Sequence, residues 1–333
     1  MTFSTAAILG SGSFGTALAK ILAPKLSSVL VIGREADVAA SINSTHRNPR
    51  YLPEVSLPEN IRASVEIADA KNHPLVIFAV PTSATRACAE DLAKAGLPEF
   101  VSLLSCAKGI EKHSGERMSQ ILRSVLPKNP IAVLSGPTHA EEMAVGQATC
   151  AVIGSENAEL AEALQSLFTL RHFRPYTSND LAGIELGGAI KNVYAIAAGI
   201  SHGLGLGDNA VAALVTRALA EMTRLGIALG GQAETFAGLS GVGDLIVTCF
   251  SVHSRNHRVG LAIGQGKTLE ETVASLGMVA EGVPNTASIH EAARKAGVRT
   301  PIIDAVYSIL YQGKPAAAAM TELLTRDTRT ECE

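Results

Sequence analysis

Gly10-Ser11-Gly12-Ser13-Phe14-Gly15 is the stretch on which the reading of this chain turns. Ahead of it, Ala6-Ala7-Ile8-Leu9 is a short apolar run suited to a buried parallel strand. Behind it, Thr16-Ala17-Leu18-Ala19-Lys20-Ile21-Leu22 spaces its apolar residues as a helix does. Strand, Gly-x-Gly-x-x-Gly and helix in that order form a dinucleotide-binding fingerprint, whereas the glycines alone describe only a turn. Gly10 permits the tight turn, Gly12 lets the backbone approach a pyrophosphate, and Gly15 lets the helix lie close to the strand. The pyrophosphate would rest on unpaired amides at the positive end of the helix dipole.

A chain of 333 residues can build two domains with sizeable cores. Apolar residues make up 47% and aromatics only 4%, with no Trp, which suits Ala/Val/Leu/Ile-rich helices and parallel sheets. It suits base-stacking nucleic-acid binders poorly, and a net charge of -3 offers no broad basic surface, so no nucleic-acid partner is expected. Five scattered cysteines without a Cys-x-x-Cys pair suggest neither a disulfide framework nor a zinc knuckle. With no leader pattern at the start, a cytoplasmic setting is the expectation. Leu186–Leu206 is apolar, but Lys191, Asn192 and His202 favour a buried helix over a membrane span.

Through the first half, short apolar runs alternate with helical or looped segments, the pattern of a parallel sheet covered on both faces. Val29–Ile32 ends at Gly33-Arg34-Glu35, about 20 positions after the glycine loop, where a ribose-reading residue belongs. Arg34 would accept the 2'-phosphate of NADP, Glu35 keeps NAD open, and a solvated charged turn is the plain alternative. The expectation is NADP(H) with tolerance of NAD(H). Leu75–Val80 runs into Pro81-Thr82, Val101–Leu104 into Ser105-Cys106-Ala107-Lys108-Gly109, and Ile131–Leu134 into Ser135-Gly136-Pro137-Thr138-His139-Ala140-Glu141-Glu142. Ligands in such sheets bind beyond the carboxyl ends of strands. Lys108 therefore either meets a substrate phosphate or carbonyl, or snorkels at the surface. Thr138 or Ser135 reads as the cap of the next helix, with Glu141 completing a box, and the amides near Gly136 could also take an anion.

Ala148–Ile153 and His172–Thr177 supply the last strands, and from about Asn179 the chain turns to long Ala/Leu/Gly-rich helices. The expected fold is a Rossmann-type, doubly wound, mainly parallel α/β domain over residues 1–180, followed by an all-α domain over 181–333 with a frayed tail from Thr328.

Lys191 is the only Asp, Glu, Lys or Arg between Glu185 and Asp208. An ammonium in so apolar a helix is costly unless paired or deprotonated, and burial draws its pKa toward the range of a general acid–base. Gly187 and Gly188 beside it would leave room for a small substrate. Asp244 and Thr248 share one helix face at i, i+4; Asp244 either caps that helix or orients a substrate hydroxyl or the lysine. Ser251–Arg258 gathers cations and donors as a phosphate requires. His253 and His257 are also at i, i+4, but nothing completes a metal set, so no metal is expected. In Met278-Val279-Ala280-Glu281-Gly282, the acid is either a helix-edge charge or a ribose or nicotinamide contact.

Together these motifs resemble the NAD(P)-dependent sn-glycerol-3-phosphate dehydrogenases of bacterial type along essentially the whole chain. The resemblance is carried by Gly10–Gly15 with Phe14, Ala107-Lys108-Gly109, Ser135–Glu142, Ala189-Ile190-Lys191-Asn192, Gly243-Asp244-Leu245, Ser254-Arg255-Asn256 and Glu281-Gly282. It implies that Lys191 exchanges a proton with the substrate's C2 oxygen. It implies substrate contacts from Lys108, Gly136, Thr138 and Asn192, and from Asp244, Ser254, Arg255 and Asn256, with Arg255 as phosphate clamp. Gly10, Gly12, Ser13, Phe14, Gly15, Arg34, Tyr51, Lys108, Ala140, Arg255, Val279 and Glu281 would line the cofactor. Family members often carry Ser where this chain has Thr138; either hydroxyl can serve. The implied reaction interconverts dihydroxyacetone phosphate and sn-glycerol 3-phosphate by hydride transfer, making the backbone of phospholipids without membrane insertion. A homodimer is an open expectation with no interface signature. The alternatives are a related 2-oxo acid reductase and a non-catalytic dinucleotide sensor, which would leave Lys191 unexplained.

Overall fold

Ten strands form in the computed structural model, which describes residues 2–276, 279–326 and 330. The expectations for Met278, Cys332 and, apart from Thr330, the tail fall outside the described residues. The strands are β1 (Thr5–Leu9), β2 (Ser28–Ile32), β3 (Arg47–Asn48), β4 (Leu52–Ser56) and β5 (Ile61–Ser64). There follow β6 (Leu75–Phe78), β7 (Ser102–Ser105), β8 (Ile131–Ser135), β9 (Thr149–Ser155) and β10 (Phe173–Ser178). Eight of them make one sheet in the order β10-β9-β8-β7-β6-β1-β2-β5, and β3-β4 is a separate antiparallel hairpin. Every neighbour pair in the large sheet is parallel except β8 with β9, so β9 and β10 run against the others. The sheet is thus mainly parallel and doubly wound, as the alternating runs predict. Leu75, Val76, Ile77 and Phe78 are wholly buried, which is why a central strand reads as an unbroken apolar run.

The chain leaves β1 toward β2 on one side and returns at β6 on the other, so the loop after β1 stands at the switch point of the sheet. Gly10 there donates to Ile32 O and has φ +117°, and a Cβ on it would lie 2.6 Å from Ala79 O. Only glycine fits between two strands in that conformation. The helix Ser13–Leu22 follows, with Gly15 seated against the Gly10 carbonyl.

Beyond β10 the described structure is helical. Its axis is the helix Leu181–Gly203, started by the Asp180 carboxylate, which accepts from Gly183 N at 2.9 Å. Leu186–Ser201 is buried throughout, so the apolar stretch is the core of this part of the protein. The helix Arg255–Gly264 crosses it at very close range. A methyl on Gly199, Gly203, Gly260 or Gly264 would strike a facing backbone carbonyl. Ala233–Phe250 has the length and apolarity to cross a bilayer, but it is divided among the helix Ala233–Phe236, a π turn at Leu239–Gly243 and the helix Asp244–Phe250.

Candidate active site

The glycine loop forms a cradle that fits a dinucleotide. No side chain caps the helix Ser13–Leu22, so its first amides and its dipole are left for an anion. A Cβ on Gly12 would meet nothing within 4 Å, so the space a pyrophosphate requires is open over the loop. Ser13 Oγ donates to Tyr51 O at 3.1 Å, which brings the β3–β4 turn to the loop, and Phe14 packs against the sheet core. Ala140 opens a short helix, Ala140–Ala144, against the same glycine-loop helix. Arg34 is exposed beyond β2. Its neighbour Glu35 is already engaged: Ser11 Oγ donates to it at 3.1 Å and Tyr51 OH at 3.2 Å.

Three more strand ends meet the helical part here. Lys108, beyond β7, donates to Gly136 O (2.8 Å), Thr138 Oγ1 (3.3 Å) and Asp244 Oδ2 (2.7 Å). Lys191 donates to the other oxygen of the same carboxylate, Asp244 Oδ1, at 2.7 Å, and to Thr248 Oγ1 at 2.6 Å. One buried carboxylate is therefore shared by two ammonium groups, with the i, i+4 threonine completing the set. Burial, aided by the charge of Lys108 and opposed by Asp244, pushes Lys191 down to about 8. Burial alone would raise the Asp244 carboxyl, but Lys108 and then Lys191 hold it below its usual value. His139 is half-buried, and desolvation together with the charges of Lys191 and Lys108 pushes it down to about 4, so it stays neutral at working pH.

Gly136 takes φ +122° directly after β8, and a Cβ there would approach Ala151 Cα to 3.2 Å. The helix that follows is capped by neither Thr138 nor Ser135: His139 occupies the N-cap position and makes no side-chain cap bond. The Thr138 hydroxyl is turned instead to Gly136 O and Lys108. Gly187 and Gly188 do not leave substrate room either. The Ser240 carbonyl fills the place of a Cβ at the first, and Ser135 Oγ with the Lys108 stem at the second.

Ser254 caps the helix Arg255–Gly264 by accepting from His257 N, which sets Arg255 on its first turn. Arg255 Nη1 donates to Val279 O at 2.9 Å. Glu281 Oε1 accepts from Thr82 N, beyond β6, at 3.1 Å, and burial raises its pKa. Asn256 Nδ2 donates to Asn192 Oδ1 at 2.8 Å, while its Oδ1 accepts from Gly282 N. Asn192 in turn donates to Lys108 O at 3.2 Å. His253 precedes the helix and faces His139, whereas His257 lies 2.7 Å from His202, so their i, i+4 spacing does not join them.

Several groups the sequence did not single out hold this arrangement. Glu185 is buried and accepts from Ser119 N (2.7 Å), Ser119 Oγ (2.6 Å) and Arg117 Nη1, tying the central helix to the sheet part. It carries the same signal as Lys191, a lone charge bordering an apolar run. Asn285 Nδ2 donates to Lys108 O at 2.8 Å, and nothing in its surrounding sequence announces it.

Family models described as the N-terminus and the C-terminus of NAD-dependent glycerol-3-phosphate dehydrogenase match residues 5–161 and 180–321. A glycerol-3-phosphate dehydrogenase (NAD(P)+) of Clostridium tetani is 46% identical over 332 residues, covering 99% of this chain and 95% of the relative. One from Clostridium perfringens is 44% identical over 329 residues, covering 98% and 99%. The crystal structure of glycerol-3-phosphate dehydrogenase from Coxiella burnetii superposes with a TM-score of 0.94 at 36% identity, covering 97% of this chain and 99% of that one. Two models matching in order and relatives aligned nearly end to end leave one assignment: this chain belongs to the NAD-dependent glycerol-3-phosphate dehydrogenase family.

Proposed function

We propose that this oxidoreductase interconverts dihydroxyacetone phosphate and sn-glycerol 3-phosphate, with Lys191 as the proton donor and acceptor at the C2 oxygen. The observation that carries the reading is the buried Lys191 ammonium, held by Asp244 and Thr248 with its pKa at about 8. An ammonium has three N–H donors. Asp244 and Thr248 take two, and the third serves the substrate oxygen. A bound nicotinamide supplies the hydride. Lys191 gives its proton to the C2 oxygen as the carbonyl becomes an alcohol, and takes it back in the reverse direction. Lys108 and Lys191 against one Asp244 leave the cluster net positive, which stabilises the negative charge developing on that oxygen.

Arg255, at the N-terminus of its helix, is the proposed phosphate clamp, with Ser254 and Asn256 beside it. Gly136, Thr138, Lys108 and Asn192 would orient the rest of the substrate from the strand ends. Residues 1–180 would be the dinucleotide-binding unit and 181–333 the substrate unit. The cytoplasm is the proposed setting, where the product supplies glycerophospholipid synthesis.

The test is turnover of dihydroxyacetone phosphate against a non-phosphorylated 2-oxo acid, in the protein and in Arg255→Ala. The expected outcome is a KM for the phosphorylated substrate raised about 10- to 100-fold, the worth of a lost charge-assisted bond, and a much smaller change for cofactor. Preference for the oxo acid, or equal effects on substrate and cofactor, would sink the proposal.

NADP(H) is the proposed preference, with NAD(H) accepted. Arg34 is exposed at the end of β2, while the neighbouring Glu35 carboxylate is held by Ser11 and Tyr51 rather than left for a ribose hydroxyl. Arg34→Asp should lower the NADPH-to-NADH ratio of kcat/KM at least about tenfold, because an acid repels the 2'-phosphate that a guanidinium would bind. An unchanged ratio would make Arg34 a surface charge.

A further inference from the structure

Lys108 is held at both ends. Its ammonium donates to Gly136 O, Thr138 Oγ1 and Asp244 Oδ2, and its backbone carbonyl accepts from Asn285 Nδ2 at 2.8 Å and Asn192 Nδ2 at 3.2 Å. Among the described residues, neither Ala107 nor Lys108 makes a backbone–backbone hydrogen bond, so the two asparagine amides are what ties this segment down. Asn192 divides its amide between Lys108 O and Gly188 O, which leaves Asn285 the shorter and less shared of the two bonds. Asn285 is 2% exposed and lies on the first turn of the helix Gly282–Lys295. That turn is itself pinned, since Glu281 Oε1 accepts from Thr82 N and Gly282 N donates to Asn256 Oδ1. The fit at the strand end has no slack: a methyl on Gly109 would strike both Asn285 Oδ1 and Thr82 Oγ1. A buried amide on a rigid support, directed at one carbonyl, has the build of a group that positions its partner.

We infer that Asn285 is a positioning residue: through the backbone of Lys108 it keeps the Lys108 ammonium on the Asp244 carboxylate that Lys191 also uses. The inference rests on the proposed role of Lys191 as proton donor and acceptor. A lysine ammonium rides on a flexible four-carbon stem, so its place depends on where its backbone is held. Lys108 acts on Lys191 in two ways. Its charge lowers the Lys191 pKa, and it occupies the second oxygen of Asp244, whose charge raises that pKa. With Lys108 released, Lys191 would keep its proton to higher pH. The other titratable groups around Lys191 cannot mimic the effect. Cys249, on the same helix as Asp244, is pushed up to about 12 by burial, and His139 lies at about 4.

The test is the pH profile of kcat/KM for dihydroxyacetone phosphate reduction in the native protein, Asn285→Ala, Lys108→Met and the double variant. In Asn285→Ala the limb at about 8 should move up by about half a unit or more. The plateau below it should fall at least about threefold, because the cluster stabilises developing charge less well. Lys108→Met should move the limb in the same direction, and adding Asn285→Ala to it should move it no further. Gly109→Ala, which displaces the amide without removing it, should reproduce the Asn285→Ala profile. A limb that stays in place in both Asn285→Ala and Gly109→Ala, whatever their melting temperatures, would make Asn285 a packing residue and overturn the inference while leaving Lys191 as the acid. A double variant shifted beyond Lys108→Met would overturn it too, since Asn285 would then reach Lys191 by another route. A native profile with no limb near this pH, or turnover retained in Lys191→Ala, would instead strike down the role of Lys191 and this inference with it.

Discussion

Lys191→Ala is expected to lower kcat for dihydroxyacetone phosphate reduction by about 10²- to 10⁴-fold, the usual worth of a positioned acid, with NADPH affinity nearly unchanged. Lys191 touches Asp244 and Thr248 rather than the glycine loop, so cofactor binding has no reason to change. The native protein should show the matching pH dependence. Reduction needs the protonated amine, which exists below its pKa of about 8, so kcat/KM for reduction should be level below that pH and fall tenfold per unit above it. Oxidation of glycerol 3-phosphate needs the neutral amine and should show the opposite limb, rising toward about 8 and levelling beyond it. His139, already neutral above about 4, cannot supply that limb. Stopped-flow or steady-state profiles in both directions check this, and a variant that keeps turnover would remove Lys191 from the chemistry.

Asp244→Asn should be the next most damaging change, and it should act on two properties at once. The Asp244 charge holds the Lys191 pKa up against burial and against Lys108. Without it the amine loses its proton more readily, so the reduction limb should move below about 8 and the rate at pH 8 should fall more than tenfold. Removing one partner of a buried ion pair also costs about 3–5 kcal/mol, at the lower end here because Lys191 can neutralise itself. Thermal melting should fall accordingly. A lower melting temperature with the pH limb unmoved would show that Asp244 only holds the fold together.

The residues explain which parts of this arrangement can be read without coordinates. Central strands such as β6 are legible because both faces are buried and the whole run is apolar. The edge strand β5 is not, because only Ile61 is buried there and Arg62 is exposed, so it reads as a polar loop. The hairpin β3–β4 is too short to carry a period, yet its turn brings Tyr51 to Ser13. The direction of β9 is likewise hidden, since a buried strand has the same composition whichever way it runs. Lys191 is legible as a lone ammonium in an apolar helix. That it shares Asp244 with Lys108 is not, because the three lie on separate elements far apart in the chain. Glu35 illustrates the other limit. Its position where a ribose-reading residue is expected is visible, but its engagement by Ser11 and Tyr51 depends on the folding of two loops.

The glycine-lined crossing of the two helices, Leu181–Gly203 and Arg255–Gly264, also has a consequence for substrate length. Arg255 begins one helix and Lys191 lies inside the other, and facing backbones without intervening side chains cannot slide apart or together. The span between the proposed phosphate clamp and the proposed proton donor is thereby set like the jaws of a fixed calliper. A homologue with one more carbon between its carbonyl and its phosphate should engage one jaw at a time and turn over poorly, even though every polar group it carries has a partner.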